Sequence, residues 1–166
     1  DLVQEDEGLR AVLLNGIEKR PAGLVTETAN GIEFRIPPYQ SRIVATVEPG
    51  GGALVGRWQR DRGEGMADVM PFAAVHDATP PEIPPLTGEQ CARISGRWAV
   101  DFAGDEDLSV GVFEVSPSGR STGTFLTTLG DYRYLAGYSD GTSLHLACFD
   151  GAHAFLFTAQ RQDDGS

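Results

Sequence analysis

Short apolar segments separated by turns that contain glycine or proline recur along the whole chain. In one of them Ile32, Phe34 and Ile36 alternate with charged residues, which is the period-two pattern of a strand with one buried face. No segment repeats apolar residues at the i, i+3, i+4 and i+7 positions over three turns, as an amphipathic helix requires. The pattern therefore predicts an antiparallel all-β protein made of short strands.

The predicted strands form two groups on either side of a proline-rich stretch. Residues 1–75 are predicted to form a first β unit, residues 76–90 a connector and residues 91–166 a second β unit, within one compact domain. The apolar segments are 9–14, 32–36, 43–47, 54–59 and 69–75, then 94–102, 109–115, 121–127, 132–138, 143–148 and 153–159. Closure of a sheet hides its edges, so we predict an antiparallel barrel or a strongly curved, lipocalin-like sandwich.

The two predicted units are similar in sequence. At a fixed offset of about 110 residues, Gly31 and Phe34 fall on Gly141 and Leu144. The first unit continues into a Leu-x-Gly-x-Trp strand at 54–58, whose counterpart would follow the last residue of the second unit. The second unit opens with another Gly-Arg-Trp segment, whose counterpart would precede the first residue. We therefore predict two similar units, each without one strand, in a fragment of a longer chain.

Composition and charge exclude some classes of partner. The chain of 166 residues has 13 Lys and Arg against 24 Asp and Glu, a net charge of −11. Nucleic-acid binding requires clustered basic residues that neutralise phosphates, so we predict no nucleic-acid partner. No apolar run approaches the roughly 18 residues that a membrane-spanning helix needs, so we predict no transmembrane segment in this chain.

The cysteines and histidines offer two kinds of candidate chemistry. Cys91 and Cys148 would form a disulfide or remain free thiols, and we favour buried free thiols because unpaired cysteine is among the most buried residue types. His145, Cys148 and His153 are near each other in sequence, but a strand directs residues three positions apart to opposite faces. Their spacing is not that of a zinc site, so we predict no metal site, no cofactor and no catalytic residue.

Three tyrosines are the candidate site residues. Tyr132, Tyr134 and Tyr138 share the same parity, so we expect them on one face of a strand. Such an aromatic stripe is typical of core packing, and its functional alternative is the wall of a ligand site or a partner surface.

Two segments carry a resemblance to a known family. They are Gly123-Thr124-Phe125-Leu126-Thr127 with Gly130-Asp131-Tyr132-Arg133-Tyr134-Leu135-Ala136-Gly137, and Phe149-Asp150-Gly151-Ala152-His153-Ala154-Phe155-Leu156-Phe157. Both resemble the region that precedes the thioredoxin fold in bacterial thiol-disulfide oxidoreductases of the TlpA/ResA-like (redoxin) group. The Gly-Arg-Trp segments at 56–58 and 96–98 fit the same region. The resemblance implies a protein of the cell envelope or periplasm whose redox chemistry lies in a C-terminal thioredoxin-like domain.

The chemistry of that family requires a Cys-x-x-Cys pair, and the two cysteines of this chain are far apart in sequence. The catalytic residues of the family therefore have no counterpart here. We expect a non-catalytic N-terminal accessory domain that positions the thioredoxin-like domain, its expected partner, or presents a surface to another partner. The alternative is a lipocalin-like binder of a small apolar ligand, which requires an apolar cavity of roughly a few hundred Å³.

Overall fold

The structure, a computed structural model, describes residues 1–77, 82–104, 106–132, 134–149 and 151–162. These residues form antiparallel sheets and one short α-helix, which confirms the predicted all-β class. The contacts divide the chain into two compact units. Unit 1 contains the described residues up to 77 together with 151–153, and unit 2 contains the others. Residues 78–81 of the predicted connector, with Arg133 and Asp150 of the segments that carry the resemblance, lie outside the described residues.

Unit 1 is built from two antiparallel sheets. The three-stranded sheet has the order β1-β2-β3, with β1 at Leu2–Glu5, β2 at Gly8–Asn15 and β3 at Glu18–Leu24. The five-stranded sheet follows the chain in order, with β4 at Thr26–Thr28, β5 at Gly31–Ile36, β6 at Ser41–Val47, β7 at Ala53–Gly63 and β8 at Met66–Val75. A single 3₁₀ turn at Pro37–Tyr39 connects β5 to β6.

The core of unit 1 lies on one face of the five-stranded sheet. Phe34 of β5 is paired with Ile43 of β6, which is paired with Trp58 of β7, so the three side chains share a face. All three are buried. The alternation that predicted the strand at 32–36 therefore corresponds to an inward-facing Phe34 and Ile36.

Unit 1 also contains a buried polar contact. The indole Nε1–H of Trp58 donates to the carbonyl oxygen of Gly151 at 3.1 Å. The hydroxyl of Ser41 donates to the same oxygen at 2.5 Å. One carbonyl therefore accepts two buried hydrogen bonds, from residues that lie 93 and 110 positions away in the sequence.

Unit 2 consists of a short helix and one curled, half-barrel sheet. Helix α1 spans Gly88–Ile94, and the strands are β9 at Gly96–Val100, β10 at Ser109–Val115, β11 at Arg120–Thr127, β12 at Gly130–Asp131, β13 at Leu135–Ser139, β14 at Ser143–Phe149 and β15 at Ala154–Gln160. The sheet order is β15-β14-β13-β11-β10-β9, and β12 pairs with β11. Strands β9 and β15 are therefore the two edges of this sheet in the described part of the chain.

Helix α1 is an element that the apolar periodicity did not predict. Thr87 caps it by accepting the backbone N–H of Gln90, whose side chain in turn accepts the backbone N–H of Thr87. This reciprocal capping box stabilises a helix start that a seven-residue segment would otherwise not maintain. Cys91 and Ile94 turn inward from the helix and join the core of unit 2.

Candidate binding site in the second unit

An apolar pocket lies on the inner face of the curled sheet of unit 2. Its volume is about 360 Å³, and most of its lining surface is apolar. Trp98 and Val100 of β9 line one side, and Phe157 and Ala159 of β15 line the other. The residues that complete the lining are Ile94, Ala99, Asp101, Phe102, Phe113, Phe125, Thr142, Leu144, Leu146, Thr158, Gln160 and Arg161. Both edge strands of the sheet therefore contribute to a single pocket.

The strand register explains why these side chains face inward. Gly111 of β10 is paired with Trp98 on one side and with Phe125 on the other, so the three residues share the inner face. On β15, Phe157 is paired with Leu146 of β14, which is paired in turn with β13. Alternation along each strand thus places an apolar side chain on the inner face at every second position.

Two glycines make space for one of the pocket's rings. Phe113 of β10 lies over Gly111 on its own strand and over Gly123, its partner on β11. A Cβ atom at Gly111 would come within 2.6 Å of the ring Cζ of Phe113, and one at Gly123 within 2.6 Å of the ring Cδ1. The ring can therefore lie flat against the sheet only because both positions have no side chain.

Beside the pocket, the aromatic side chains of the inner face form one packed cluster. The ring of Phe125 lies at centroid distances of 5.1 Å from Phe102, 5.4 Å from Phe113, 5.8 Å from Tyr132 and 4.6 Å from Phe157. Most of these pairs are edge-on or tilted, the geometry that aromatic quadrupoles favour. The inner face is therefore packed around Phe125, and the 360 Å³ of open space lies beside this cluster.

Helix α1 contributes to one wall of the pocket. Ile94, its last residue, lines the pocket, and the carbonyl oxygen of Ile94 accepts the indole Nε1–H of Trp98 at 2.8 Å. The hydroxyl of Ser95 accepts the backbone N–H of Val115 at 2.9 Å, which fixes the end of the helix to β10. The tryptophan of the Gly-Arg-Trp segment is therefore held at the pocket by its own polar atom.

A few polar groups lie at the pocket. The backbone N–H of Arg161, just after β15, donates to the carbonyl oxygen of Thr142 at 2.9 Å and extends the pairing with the β14 side of the sheet. The side-chain Nε of Arg161 is buried and has no hydrogen-bond partner among the residues that the structure describes. Asp101, an exposed residue, is the acidic group of the lining. A buried donor without an acceptor is uncommon in native proteins and calls for an explanation.

The structure corrects the expectation that the three candidate tyrosines share one face. Strand β13 begins at Leu135, so Tyr132 and Tyr134 lie before it and the parity of a strand does not apply to them. Tyr132 packs in the aromatic cluster, whereas Tyr134 is partly exposed. Tyr138 is on β13 opposite His145, and the two rings stack at a centroid distance of 4.6 Å. The role of these tyrosines in a ligand or partner surface stays a prediction.

The candidate metal ligands do not come together. Cys148 is buried in the core of unit 2, whereas His145 lies on the other face of β14 and stacks on Tyr138. His153 belongs to unit 1. Within the described ranges, no group of three or more His, Cys, Asp or Glu side chains is placed to hold a metal ion. Cys91 and Cys148 are buried thiols that no disulfide joins, which confirms the preference for thiols over a disulfide.

The turn between β13 and β14 contains a carboxylate that accepts backbone hydrogen bonds. The carboxylate of Asp140 accepts the backbone N–H of Ser143 at 2.7 Å and that of Thr142 at 2.9 Å. These bonds, first that of Ser143 and then that of Thr142, hold the pKa of Asp140 below its usual value, and the nearby His145 lowers it further. The carboxylate therefore stabilises the β13–β14 turn in its charged form.

Sequence reasoning missed the pocket residues Trp98, Phe157 and Arg161 as a group. The signal that was present is the apolar, uncharged character of 154–160, but alternation alone does not say which strands form the edges of a sheet. No protein-family model, curated protein or solved structure matches this chain. Across the residues that the structure describes, no helix has the length and apolar character needed to cross a lipid bilayer.

Proposed function

We propose that this chain is a non-catalytic accessory β module of an envelope thiol-disulfide oxidoreductase, in which a thioredoxin-like domain follows it. Its role is to position that domain or to engage another polypeptide segment. The resemblance of 123–137 and 149–157 to the redoxin group supports the family. The observation that supports the role is the apolar pocket of unit 2, which residues of both edge strands line.

The complete reading frame tests this proposal. We expect a βαβ pattern with a Cys-x-x-Cys pair within about 150 residues of Ser166, a typical domain length. The purified full-length protein should then catalyse the reduction of insulin disulfides by dithiothreitol, which supplies the electrons and re-reduces the Cys-x-x-Cys pair. Replacing both Cys91 and Cys148 by Ser should leave that activity unchanged in molecules that fold, because both thiols are buried away from the surface. A full-length protein without a Cys-x-x-Cys pair would overturn the proposal.

The same pocket favours a second candidate function, the binding of a small apolar ligand. Its volume of 360 Å³ and its mostly apolar lining match the lower end of ligand sites, which occupy about 300–1,000 Å³. Titration with 1-anilinonaphthalene-8-sulfonate, a fluorescent probe with an apolar aromatic part and one charged sulfonate, measures this binding.

Two alanine-to-phenylalanine substitutions, one inside the pocket and one outside it, control the probe experiment. Ala159→Phe places a ring in the pocket and should abolish probe binding, because Ala159 is on the inner face of β15. Ala147→Phe adds the same ring to the other face of β14 and should leave binding unchanged, since Ala147 is exposed and is not a lining residue. Equal binding by both variants would place the probe outside the pocket.

A further inference from the structure

The described part of the loop between β14 and β15 belongs to a different unit from the two strands that the loop joins. Residues 151–153, which we call the hairpin tip, are part of unit 1, whereas β14 and β15 are part of unit 2. Gly151 and Ala152 are buried, although loops normally lie on the surface because their backbone polar groups need water. The groups of unit 1 that replace this water therefore determine how firmly the hairpin tip is held.

Side chains of unit 1 fit closely around Gly151. Its carbonyl oxygen accepts the hydroxyl of Ser41 from β6 and the indole N–H of Trp58 from β7. A Cβ atom at this position would come within 2.6 Å of Cγ2 of Ile36 and within 2.9 Å of Cδ2 of Tyr39. Gly151 also has a φ of +98°, a conformation that residues with a side chain rarely adopt. Unit 1 therefore holds the hairpin tip at a position that only glycine fits without strain.

The end of the hairpin next to its tip has no third strand beside it. Strand β14 pairs with β13 through residues 144–147, whereas its pairing with β15 continues for two more residues. The pairs Cys148–Phe155 and Phe149–Ala154 therefore belong to a two-stranded ribbon within the described part of the chain. Two-stranded ribbons are marginally stable by themselves, so the hold on the tip contributes to keeping this end in place.

The same two strands line the apolar pocket. Leu146 and Phe157 are paired with each other, both line the pocket, and they lie two positions from the pair Cys148–Phe155. The ring of Tyr132 packs against Phe155 at a centroid distance of 4.8 Å and against Phe157 at 5.4 Å. The hairpin tip and the pocket are therefore joined by paired backbone and by packed rings, through which a change at one can reach the other.

We propose that the hairpin tip regulates the apolar pocket: the ligand-binding form of the pocket requires Gly151 to be held by Ser41 and Trp58. Release of the tip frees the end of the hairpin and lowers the affinity of the pocket for its ligand. Because such coupling is reciprocal, a ligand bound in unit 2 also holds the tip in unit 1. This inference rests on the small-ligand function proposed above, and it identifies the contact that controls binding.

Two glycine substitutions with the same backbone strain test the effect on binding. Gly151→Ala adds a Cβ atom against Ile36 and Tyr39, whereas Gly50→Ala, at a φ of +99°, adds one where nothing lies within 4 Å. Gly151→Ala should raise the Kd of 1-anilinonaphthalene-8-sulfonate at least about five-fold, the lower end of typical coupling between sites. Gly50→Ala should leave the Kd unchanged, because Gly50 contacts neither the tip nor the pocket.

Hydrogen exchange of the protein without the probe tests the hold on the hairpin. Ser41→Ala removes one donor to Gly151, so amides of residues 148–155 should exchange about two- to ten-fold faster, the factor that one hydrogen bond supplies. Ile43→Val removes a methylene from the same buried core and keeps both bonds to Gly151, so it should leave these amides unchanged. In the wild type, the probe at about ten times its Kd should slow exchange of the tip by up to about ten-fold.

The outcomes separate the regulation from the ligand function. An unchanged Kd in Gly151→Ala, or unchanged exchange at residues 148–155 in Ser41→Ala, overturns the regulatory contact and leaves the ligand function intact. Equal exchange in Ser41→Ala and Ile43→Val also overturns it, because the hairpin would then respond to the stability of unit 1 alone. A wild type that binds no probe overturns the small-ligand function, while faster exchange in Ser41→Ala alone would still support the hold of the tip on the hairpin.

Discussion

The two units differ in the side chains that fill their cores and in the composition of their edge strands. In unit 1 the buried side chains are few, several are alanines, and two hydrogen bonds to the carbonyl of Gly151 lie inside the core. In unit 2 a helix and a set of packed aromatic rings fill the inner face. The edges differ as well, since β3 and β8 of unit 1 carry prolines and β15 of unit 2 carries none. Unit 1 therefore relies on small side chains and buried hydrogen bonds, whereas unit 2 relies on packed aromatic rings.

The largest expected effect on the unfolding free energy comes from removing a buried ring from the core of either unit. Phe34 in unit 1 and Phe125 in unit 2 are both 6% exposed, so their burial is equal. Phe125→Ala should lower the unfolding free energy by about 3–5 kcal/mol, as is usual for a buried phenylalanine. Phe34→Ala should cost at least about 1 kcal/mol less, because Phe34 has no ring partner in the described ranges and each aromatic pair contributes about 0.5–1.5 kcal/mol.

Native-state hydrogen exchange, read strand by strand, measures the opening free energy of each unit separately. The Phe125→Ala loss should appear on the strands of unit 2, and the Phe34→Ala loss on those of unit 1. Equal losses for the two substitutions would show that ring contacts add nothing beyond burial, and the comparison of the cores would then fail.

A smaller effect concerns the shared carbonyl of unit 1. Ser41→Ala and Trp58→Phe each leave the carbonyl of Gly151 with one donor, so the lost hydrogen bond should cost about 0.5–1.5 kcal/mol in each variant. The double variant leaves this buried acceptor without a donor. It should cost about 1–3 kcal/mol more than the sum of the single changes.

Unit 2 provides the matched control for this double-mutant cycle. Trp98 donates to the carbonyl of Ile94, whereas Ser95 accepts from the backbone N–H of Val115, so the two side chains share no partner. Trp98→Phe and Ser95→Ala should therefore combine additively in urea unfolding followed by circular dichroism. Additive behaviour of Ser41→Ala with Trp58→Phe would mean that the two donors are independent.

The smallest effect is electrostatic and is confined to the β13–β14 turn. Because the folded state lowers the pKa of Asp140, its carboxylate contributes stability above the unfolded pKa of about 3.9. That contribution is lost as the pH falls through the lower pKa of the folded state. Asp140→Asn retains an oxygen acceptor but does not titrate, so the variant should be less stable than the wild type at pH 7 and equal to it in strong acid.

Unfolding free energies measured from neutral to strongly acidic pH test this prediction. Asp140→Ala removes the acceptor at every pH and should therefore be the least stable of the three proteins at neutral pH. A constant difference between the wild type and Asp140→Asn across the whole range would contradict the assigned pKa shift.

Much of the fold was predictable because the strands bury one face. The predicted strand at 109–115 coincides with β10, and the segment 43–47 lies within β6. Strand β3 was missed because its sequence, Glu-Lys-Arg-Pro-Ala-Gly-Leu, has no apolar alternation. Helix α1 was missed because its seven residues are too few for a helical period, although the capping pair Thr87 and Gln90 was visible in the sequence.

The candidate site was less predictable than the fold. The tyrosine parity at 132–138 failed because no single strand spans these residues: β12 ends at Asp131 and β13 begins at Leu135, and the local sequence does not mark these bounds. The pocket depends on Trp98 and Phe157, which are brought together by the curl of a six-strand path. The sequence predicts an apolar strand at 153–159, but only the three-dimensional register shows that its inner face lines an apolar pocket.

The position of Gly151 has a consequence for protein synthesis. Unit 1 takes its last described residues, 151–153, from a point in the chain that follows almost all of unit 2. A ribosome that adds about 5–20 residues per second takes roughly 4–15 s to pass from residue 80 to residue 153. The N-terminal unit therefore cannot form its two hydrogen bonds to the carbonyl of Gly151 until most of the C-terminal unit has been synthesised. The usual order, in which the domain synthesised first is completed first, does not apply to this chain.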